Sequence, residues 1–242
     1  MHRLWPDPDP APLDDAALSA LYEPAGPGLR MNFVTSVDGA VEIEGRSAGL
    51  GNPADKRVFG LLRQYPDALL VGAGTLRVEG YHAVRLDEER RAWRTARGLD
   101  PYPRLVVISR RLDLDPTHDA LSEAPRRPVI LTSRAAPPDR VTALSTVADV
   151  LGHGDDEVDL RAAMGDLRDR GVATILSEGG PHLFGSLTAA DLVDEVCLTV
   201  SPLLAGPGAG RVTAGPPSEI RGLALAHVLC ADDALLLRYV RG

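Results

Sequence analysis

The sequence predicts one domain of mixed α/β class, with a sheet that is parallel through most of the chain and antiparallel at its end. Three observations carry this reading. Short, wholly apolar runs such as residues 68–71 alternate with amphipathic stretches, the pattern of strands covered on both faces. Two of these runs break into glycines where a helix should start: Leu69-Leu70-Val71-Gly72-Ala73-Gly74-Thr75 and Ile175-Leu176-Ser177-Glu178-Gly179-Gly180-Pro181. After Asp194 the runs at 195–201, 224–229 and 234–240 follow one another with no helical pattern between them.

In chain order, residues 1–27 are acidic and rich in proline, with one short amphipathic piece at 15–22. They are expected to form an arm lying over the domain of residues 28–242. Residues 29–37 form the first strand, which ends in the tight-turn pair Asp38-Gly39, and 40–43 return as a short strand. Asn52-Pro53-Ala54-Asp55 opens a helix: Asn52 caps, Pro53 fits the first position, and Asp55 suits the first turn. Ala54, Val58, Leu61 and Leu62 share its apolar face, and Pro66 stops it. Residues 87–98, dense in charge, read as a solvated helix or loop. Strands are expected at 104–109, 128–132 and 145–150. Residues 157–170 form an amphipathic helix on Leu160, Ala163, Met164 and Leu167, closed by Gly171. A strand at 173–176 and a helix carrying Leu183, Phe184 and Leu187 follow. Asp232-Asp233 turns the last hairpin.

Composition removes several functions. An apolar fraction of 44% supports a full core, and a net charge of −8 argues against nucleic acid or an anionic membrane as main partner. The N-terminus lacks the basic start and apolar core of a signal peptide, and no run approaches the length of a membrane span, so the expected compartment is the cytoplasm. Cys197 and Cys230 lie in apolar strand-like runs and read as buried small hydrophobes; with no Cys-x-x-Cys and six scattered histidines, no metal site is expected. Neither a Gly-x-x-x-x-Gly-Lys-Ser/Thr loop nor a Gly-x-Ser-x-Gly elbow is present.

The glycine turns are the positive signal. Glycine lets a backbone approach a ligand closely, and the helix start that follows offers unpaired N–H groups, together a seat for phosphate. Neither turn completes Gly-x-Gly-x-x-Gly: Arg77 stands where the third glycine belongs. One such turn fits a ligand-free connection as well as a ligand seat. Two in one sheet favour a dinucleotide, because ligands of open α/β sheets gather at the carboxyl ends of strands. His82 and His182 flank the turns and are open to either a surface or a ligand role.

Here the residues resemble a family. Met31-Asn32-Phe33-Val34-Thr35-Ser36-Val37-Asp38-Gly39, Asp67 through Thr75, Ser177-Glu178-Gly179-Gly180-Pro181-His182-Leu183, Leu192-Val193-Asp194-Glu195 and Ser201-Pro202-Leu203-Leu204-Ala205-Gly206 resemble, in order, the reductase domain of bacterial riboflavin biosynthesis. The resemblance implies a dihydrofolate-reductase-like three-layer fold and NADPH as cofactor. It implies that Gly72, Ala73, Gly74 and Thr75 hold the cofactor, that Gly179, Gly180 and Leu183 cradle its pyrophosphate, and that Ser109 and Arg110 meet its 2′-phosphate. Ser109-Arg110 fits a plain surface turn equally well. Asp38 and Glu178 take the catalytic places by this resemblance. Asp38 also serves as an ordinary turn residue, whereas Glu178 could orient a pyrimidine or pass a proton. Asp55, Glu79, Tyr81, His82 and Arg85 fall at the substrate.

The departures matter too. The zinc motifs of the bacterial enzyme's deaminase half are missing. An arginine that grips the substrate's phosphate in the family is replaced by Pro53, and Glu79-Gly80-Tyr81 replaces an Asp-Asp-Pro run, although Arg85 remains. Losing one such arginine costs about 1.5–3 kcal/mol, roughly a tenfold to hundredfold in affinity. The cofactor half therefore reads as intact and the substrate half as altered. Three functions follow: an NADPH-dependent reductase that converts the ribosyl group of a 5-amino-6-(5-phosphoribosylamino)pyrimidine to ribityl; a pteridine or dihydrofolate-like reductase; or an NADPH-binding protein without turnover. A homodimer is expected, with the antiparallel C-terminal strands offering an edge.

Overall fold

The computed structural model describes residues 1–242. The chain forms two compact units, one from Met1–Tyr65 with Pro181–Gly242 and one from Pro66–Gly180.

The first unit begins with β1 (His2–Trp5), a strand that the proline-rich composition did not announce, and α1 (Asp15–Tyr22), capped by Asp14. The arm is thus part of this unit's packing: β1 pairs antiparallel with a late strand, and Leu18 and Tyr22 of α1 are buried. β2 (Gly28–Ser36) ends in the turn at Asp38-Gly39, where Gly39 sits at φ +86°. Residues 40–43 do not form a strand; only an isolated bridge joins Ile43 to Arg46. The helix α2 (Pro53–Leu62) starts as its sequence demands, with Asn52 Oδ1 accepting from Asp55 N at 2.8 Å, and it buries Ala54, Val58, Leu61 and Leu62.

The second unit runs β3 (Ala68–Gly72), α3 (Ala73–Val78), α4 (Glu88–Thr95), β4 (Arg104–Ile108), α5 (Asp119–Ser122), β5 (Val129–Thr132), α6 (Pro138–Leu144), β6 (Asp149–Gly152), α7 (Leu160–Asp169) and β7 (Thr174–Ser177). All its strand pairs are parallel, in the order β7-β3-β4-β5-β6. Residues 145–148, expected as strand, instead close α6, whose start is set by Pro138 at its first position. Residues 87–98 are not simply solvated. Arg94 of α4 is fully buried, donating to Pro66 O (2.8 Å) and Asp100 O (2.6 Å), and burial pushes its pKa down to about 10. A carboxylate ties two strand starts together: Asp67 Oδ2 accepts from the amides of Ala173 (2.9 Å) and Thr174 (2.8 Å).

The chain then returns to the first unit through α8 (Pro181–Ala189), β8 (Glu195–Ser201), β9 (Ala224–Ala231) and β10 (Ala234–Val240). Here β8 runs parallel to β2, while the β8–β10, β10–β9 and β9–β1 pairs are antiparallel. Asp232 and Asp233 both take positive φ, 53° and 61°, as a two-residue hairpin turn requires. The result is the mixed α/β three-layer, dihydrofolate-reductase-like fold, mostly parallel with antiparallel C-terminal strands. No helix is long and apolar enough to cross a membrane.

His227 on β9 is buried with its ring edge-on to Tyr22, centroids 4.7 Å apart. Burial first, then the nearby Arg238, pushes its pKa from 6.5 down to about 4; Glu195 pulls the other way, and Arg30 and Arg3 add to the depression. The unfolded chain therefore takes up a proton that the folded protein refuses. Stability from this group falls as pH drops from about 6.5 to about 4, on the order of 3 kcal/mol in all, and is level outside that window. Urea midpoints at pH 7 and pH 4.5 should differ less in a His227→Phe variant than in the wild type. Equal losses in both proteins would disprove the assignment.

Candidate active site

In the second unit the two glycine turns come together. Gly72 ends β3 and caps α3, and its N–H donates to Gly179 O at 2.8 Å. Glu178 N donates to Leu70 O at 3.0 Å, so the segment after β7 stays bonded to β3 up to the turn. Gly179 sits at φ +93°, a conformation that L side chains resist, and a Cβ on Gly180 would lie 2.8 Å from Thr75 Oγ1. The turn thus requires glycine at 179 by its backbone conformation, and a side chain at 180 would push the Thr75 hydroxyl aside. Ala73 is buried, whereas a Cβ on Gly74 would meet nothing within 4 Å. That combination, a tight backbone cradle with open space in front of it, fits the diphosphate of a dinucleotide. From Gly180 the chain runs directly into α8.

Glu178 is half-buried at the end of β7, and its carboxylate accepts a hydrogen bond from the Tyr81 hydroxyl. Tyr81 is brought there by α3 and by the turn at Gly80, whose φ is +65°. Glu79 is the C-cap of α3, its N–H bonded to Thr75 O at 2.9 Å. His82 and Arg85 lie apart from this pair. His82 Nδ1 is 2.5 Å from Asp119 Oδ2, a contact that holds the Asp119 carboxyl below its usual range, and Arg85 donates to Glu123 O at 3.4 Å. Ser109 is buried after β4, and Arg110 is ion-paired with Glu157. The same dipeptide recurs as Ser133-Arg134 after the neighbouring strand β5.

In the first unit, Asp38 is exposed, and its carboxylate accepts from the Ser36 hydroxyl and from the amides of Ala205 (3.2 Å) and Gly206 (2.8 Å). The Ser36 bond, then the two amides, hold its pKa below the usual value. The geometry therefore gives Asp38 a loop-tying role. Asp55, in the first turn of α2, has its carboxyl pushed up by burial, partly offset by a hydrogen bond from Thr199. Leu183 is buried on α8 beside Phe184, whose ring stacks on Phe33 of β2 at 5.2 Å. No group of three or more His, Cys, Asp or Glu residues is arranged to hold a metal ion.

A mixed α/β sheet with paired glycine turns at its strand ends defines the class, and comparison with known proteins defines the family. Residues 27–235 match the RibD C-terminal domain, and the chain belongs to that family. It is 31% identical over 181 residues to the 2,5-diamino-6-ribosylamino-4(3H)-pyrimidinone 5′-phosphate reductase of Archaeoglobus fulgidus, covering 74% of this chain and 82% of that one. The protein of the same description from Methanothermobacter thermautotrophicus is 29% identical, covering 74% and 80%. Among solved structures, a pyrimidine reductase-like protein from Corynebacterium diphtheriae superposes with a TM-score of 0.82 at 26% identity, covering 88% of this chain and 91% of that one. The chain is thus similar to reductases of this family throughout most of its length.

Proposed function

We propose that this protein is an NADPH-dependent reductase that converts the ribosyl group of a phosphorylated ribosylaminopyrimidine to ribityl. The observation that carries the reading is the closure of residues 72–75 against Gly179-Gly180, with the Glu178–Tyr81 pair at the same strand ends. The names of the archaeal relatives favour a 2,5-diaminopyrimidinone 5′-phosphate as the form taken. In this reading Gly72, Ala73, Gly74 and Thr75 form one wall of the cofactor seat and Gly179 and Gly180 the other, while Leu183, Ser109 and Arg110 are further cofactor contacts. Bound NADPH would supply a hydride to C1′ of the ring-opened sugar. The chain's task is to hold that carbon in place, exclude water and deliver one proton to the adjacent nitrogen. Glu178, fixed by Tyr81, orients the pyrimidine or passes that proton. On the family resemblance alone, Asp38 is kept beside Glu178 as a catalytic residue, and Asp55, Glu79, Tyr81, His82 and Arg85 are assigned to the substrate. A homodimer in the cytoplasm is part of the same reading.

Pro53, at the first position of α2 where the resemblance calls for a phosphate-gripping arginine, favours a second reading, a pteridine or dihydrofolate-like reductase. Steady-state NADPH oxidation with the ribosylaminopyrimidine phosphate, its deaminated form, and a panel of pterins separates the two. The expected result is turnover of a phosphorylated pyrimidine and none of pterins. The reverse would replace the first reading with the second, and tight NADPH binding without turnover of any compound would leave only a binding protein.

A further inference from the structure

The same dipeptide ends two adjacent strands. Ser109-Arg110 follows β4 and Ser133-Arg134 follows β5. The strands are parallel, with Ile108 opposite Leu131, and the ladder continues past them: Ser109 N donates to Leu131 O at 3.0 Å, and Thr132 Oγ1 to Arg110 O at 3.3 Å. Both serines are buried and both arginines are exposed. Two guanidinium groups therefore leave neighbouring strands at their carboxyl ends, where open α/β sheets gather ligands.

Each arginine already has an anion, and both anions come from one loop. Arg110 Nη1 pairs with Glu157, and Arg134 Nη1 lies 3.0 Å from Asp155 Oδ1. The loop is placed by its backbone: Arg134 N donates to Gly154 O (2.9 Å), Ala135 N to Asp155 O (3.0 Å) and Asp159 N to His153 O (3.1 Å). Gly154 takes φ +78°, and a Cβ there would lie 2.2 Å from Glu157 O, so the loop folds back only with glycine at that position. Exposed ion pairs of this kind add little to stability, which makes a purely structural purpose for two of them weak. They break readily when a stronger anion arrives. A phosphate dianion is such an anion, since guanidinium forks donate to it in parallel.

We propose that Arg134 joins Arg110 in binding the 2′-phosphate of the cofactor, and that Asp155 and Glu157 are a resident competitor which that phosphate displaces. The proposal rests on the NADPH reading above. It makes the acidic loop a determinant of cofactor affinity: its carboxylates oppose the phosphorylated dinucleotide and leave the unphosphorylated one untouched.

Titration calorimetry of NADPH and NADH at fixed salt tests this on the full chain. Arg134→Ala should weaken NADPH by about tenfold or more, the loss of one charge-assisted bond, with NADH changed less than about twofold. Arg134→Lys should recover part of the loss, and Asp155→Asn with Glu157→Gln should strengthen NADPH several-fold without affecting NADH. An NADPH-to-NADH ratio unchanged in Arg134→Ala, or an NADPH affinity unchanged in the neutralised loop, overturns the proposal. Should wild type prefer NADPH and only Arg110→Ala remove that preference, the cofactor reading stands and this inference is lost. Equal affinity of wild type for both dinucleotides would overturn the 2′-phosphate reading itself, and the inference with it.

Discussion

Glu195→Ala is expected to destabilise the first unit by about 3–5 kcal/mol, the effect of leaving buried charge uncompensated. Two arginines grip this one carboxylate, both as forks. Arg30 reaches it through Nε (2.5 Å to Oε1) and Nη2 (3.0 Å to Oε2), and Arg238 through Nε (2.8 Å to Oε1) and Nη2 (3.1 Å to Oε2). The three side chains are only 8%, 11% and 11% exposed, so water cannot replace the lost partner. The consequence reaches the N-terminal helix, because Arg238 also donates to Leu21 O and to Glu23 O (3.3 Å), carbonyls at the end of α1. Removing Glu195 should therefore lower the melting temperature on the order of 10 °C and strip amide-exchange protection from α1. Replacing all three residues by apolar ones of similar volume should recover much of the loss, since ions are costly to bury even when paired. A melting temperature for Glu195→Ala within about 2 °C of wild type would refute the account.

This cluster also marks where the sequence stops being legible. Each of its members was visible as a charged residue in an apolar strand, but a strand pattern carries no register. Only the pairing of Arg30 with Glu195 on β2–β8, and of Arg238 with Cys197 on β10–β8, puts two guanidiniums around one carboxylate. The same limit explains Arg94: a helix dense in charge reads as solvated until Pro66 O and Asp100 O are found beside it. Local signals did better. Asn52-Pro53 set the start of α2, apolar spacing set the buried faces of α2 and α7, and Asp232-Asp233 set the last hairpin, because each depends on neighbours within one turn. The strand β1 was hidden because proline composition outweighed four residues whose paired strand, β9, lies more than 200 positions away. At the candidate site, the glycine turns were legible through backbone chemistry. The turning of His82 and Arg85 toward Asp119 and Glu123 was not, since it depends on the Asp119 carboxylate of α5 and the carbonyl of the residue after that helix.

Glu178→Gln is expected to reduce turnover by about a hundredfold or more, the usual loss when a positioned acid–base group is removed. The substitution keeps shape and removes charge, so the fold around Gly179 and Gly180 should persist and NADPH affinity should change little. Tyr81→Phe separates the carboxylate from the group that fixes it. The ring stays and only the hydroxyl is lost, which removes a hydrogen bond to a charged acceptor, about 1.5–3 kcal/mol. If Tyr81 acts by holding that carboxylate in place, turnover of Tyr81→Phe falls, though less than in Glu178→Gln, and the melting temperature stays within about 2 °C of wild type. A structural role for Tyr81 would lower the melting temperature and leave turnover of the folded protein where it was. Turnover of Glu178→Gln within about threefold of wild type would remove the carboxylate from the chemistry. Unchanged turnover in Tyr81→Phe beside an inactive Glu178→Gln would remove only its coupling to Tyr81. The two variants together therefore decide whether Glu79-Gly80-Tyr81, the stretch in which this chain departs from its family's pattern, acts on the reacting carboxylate.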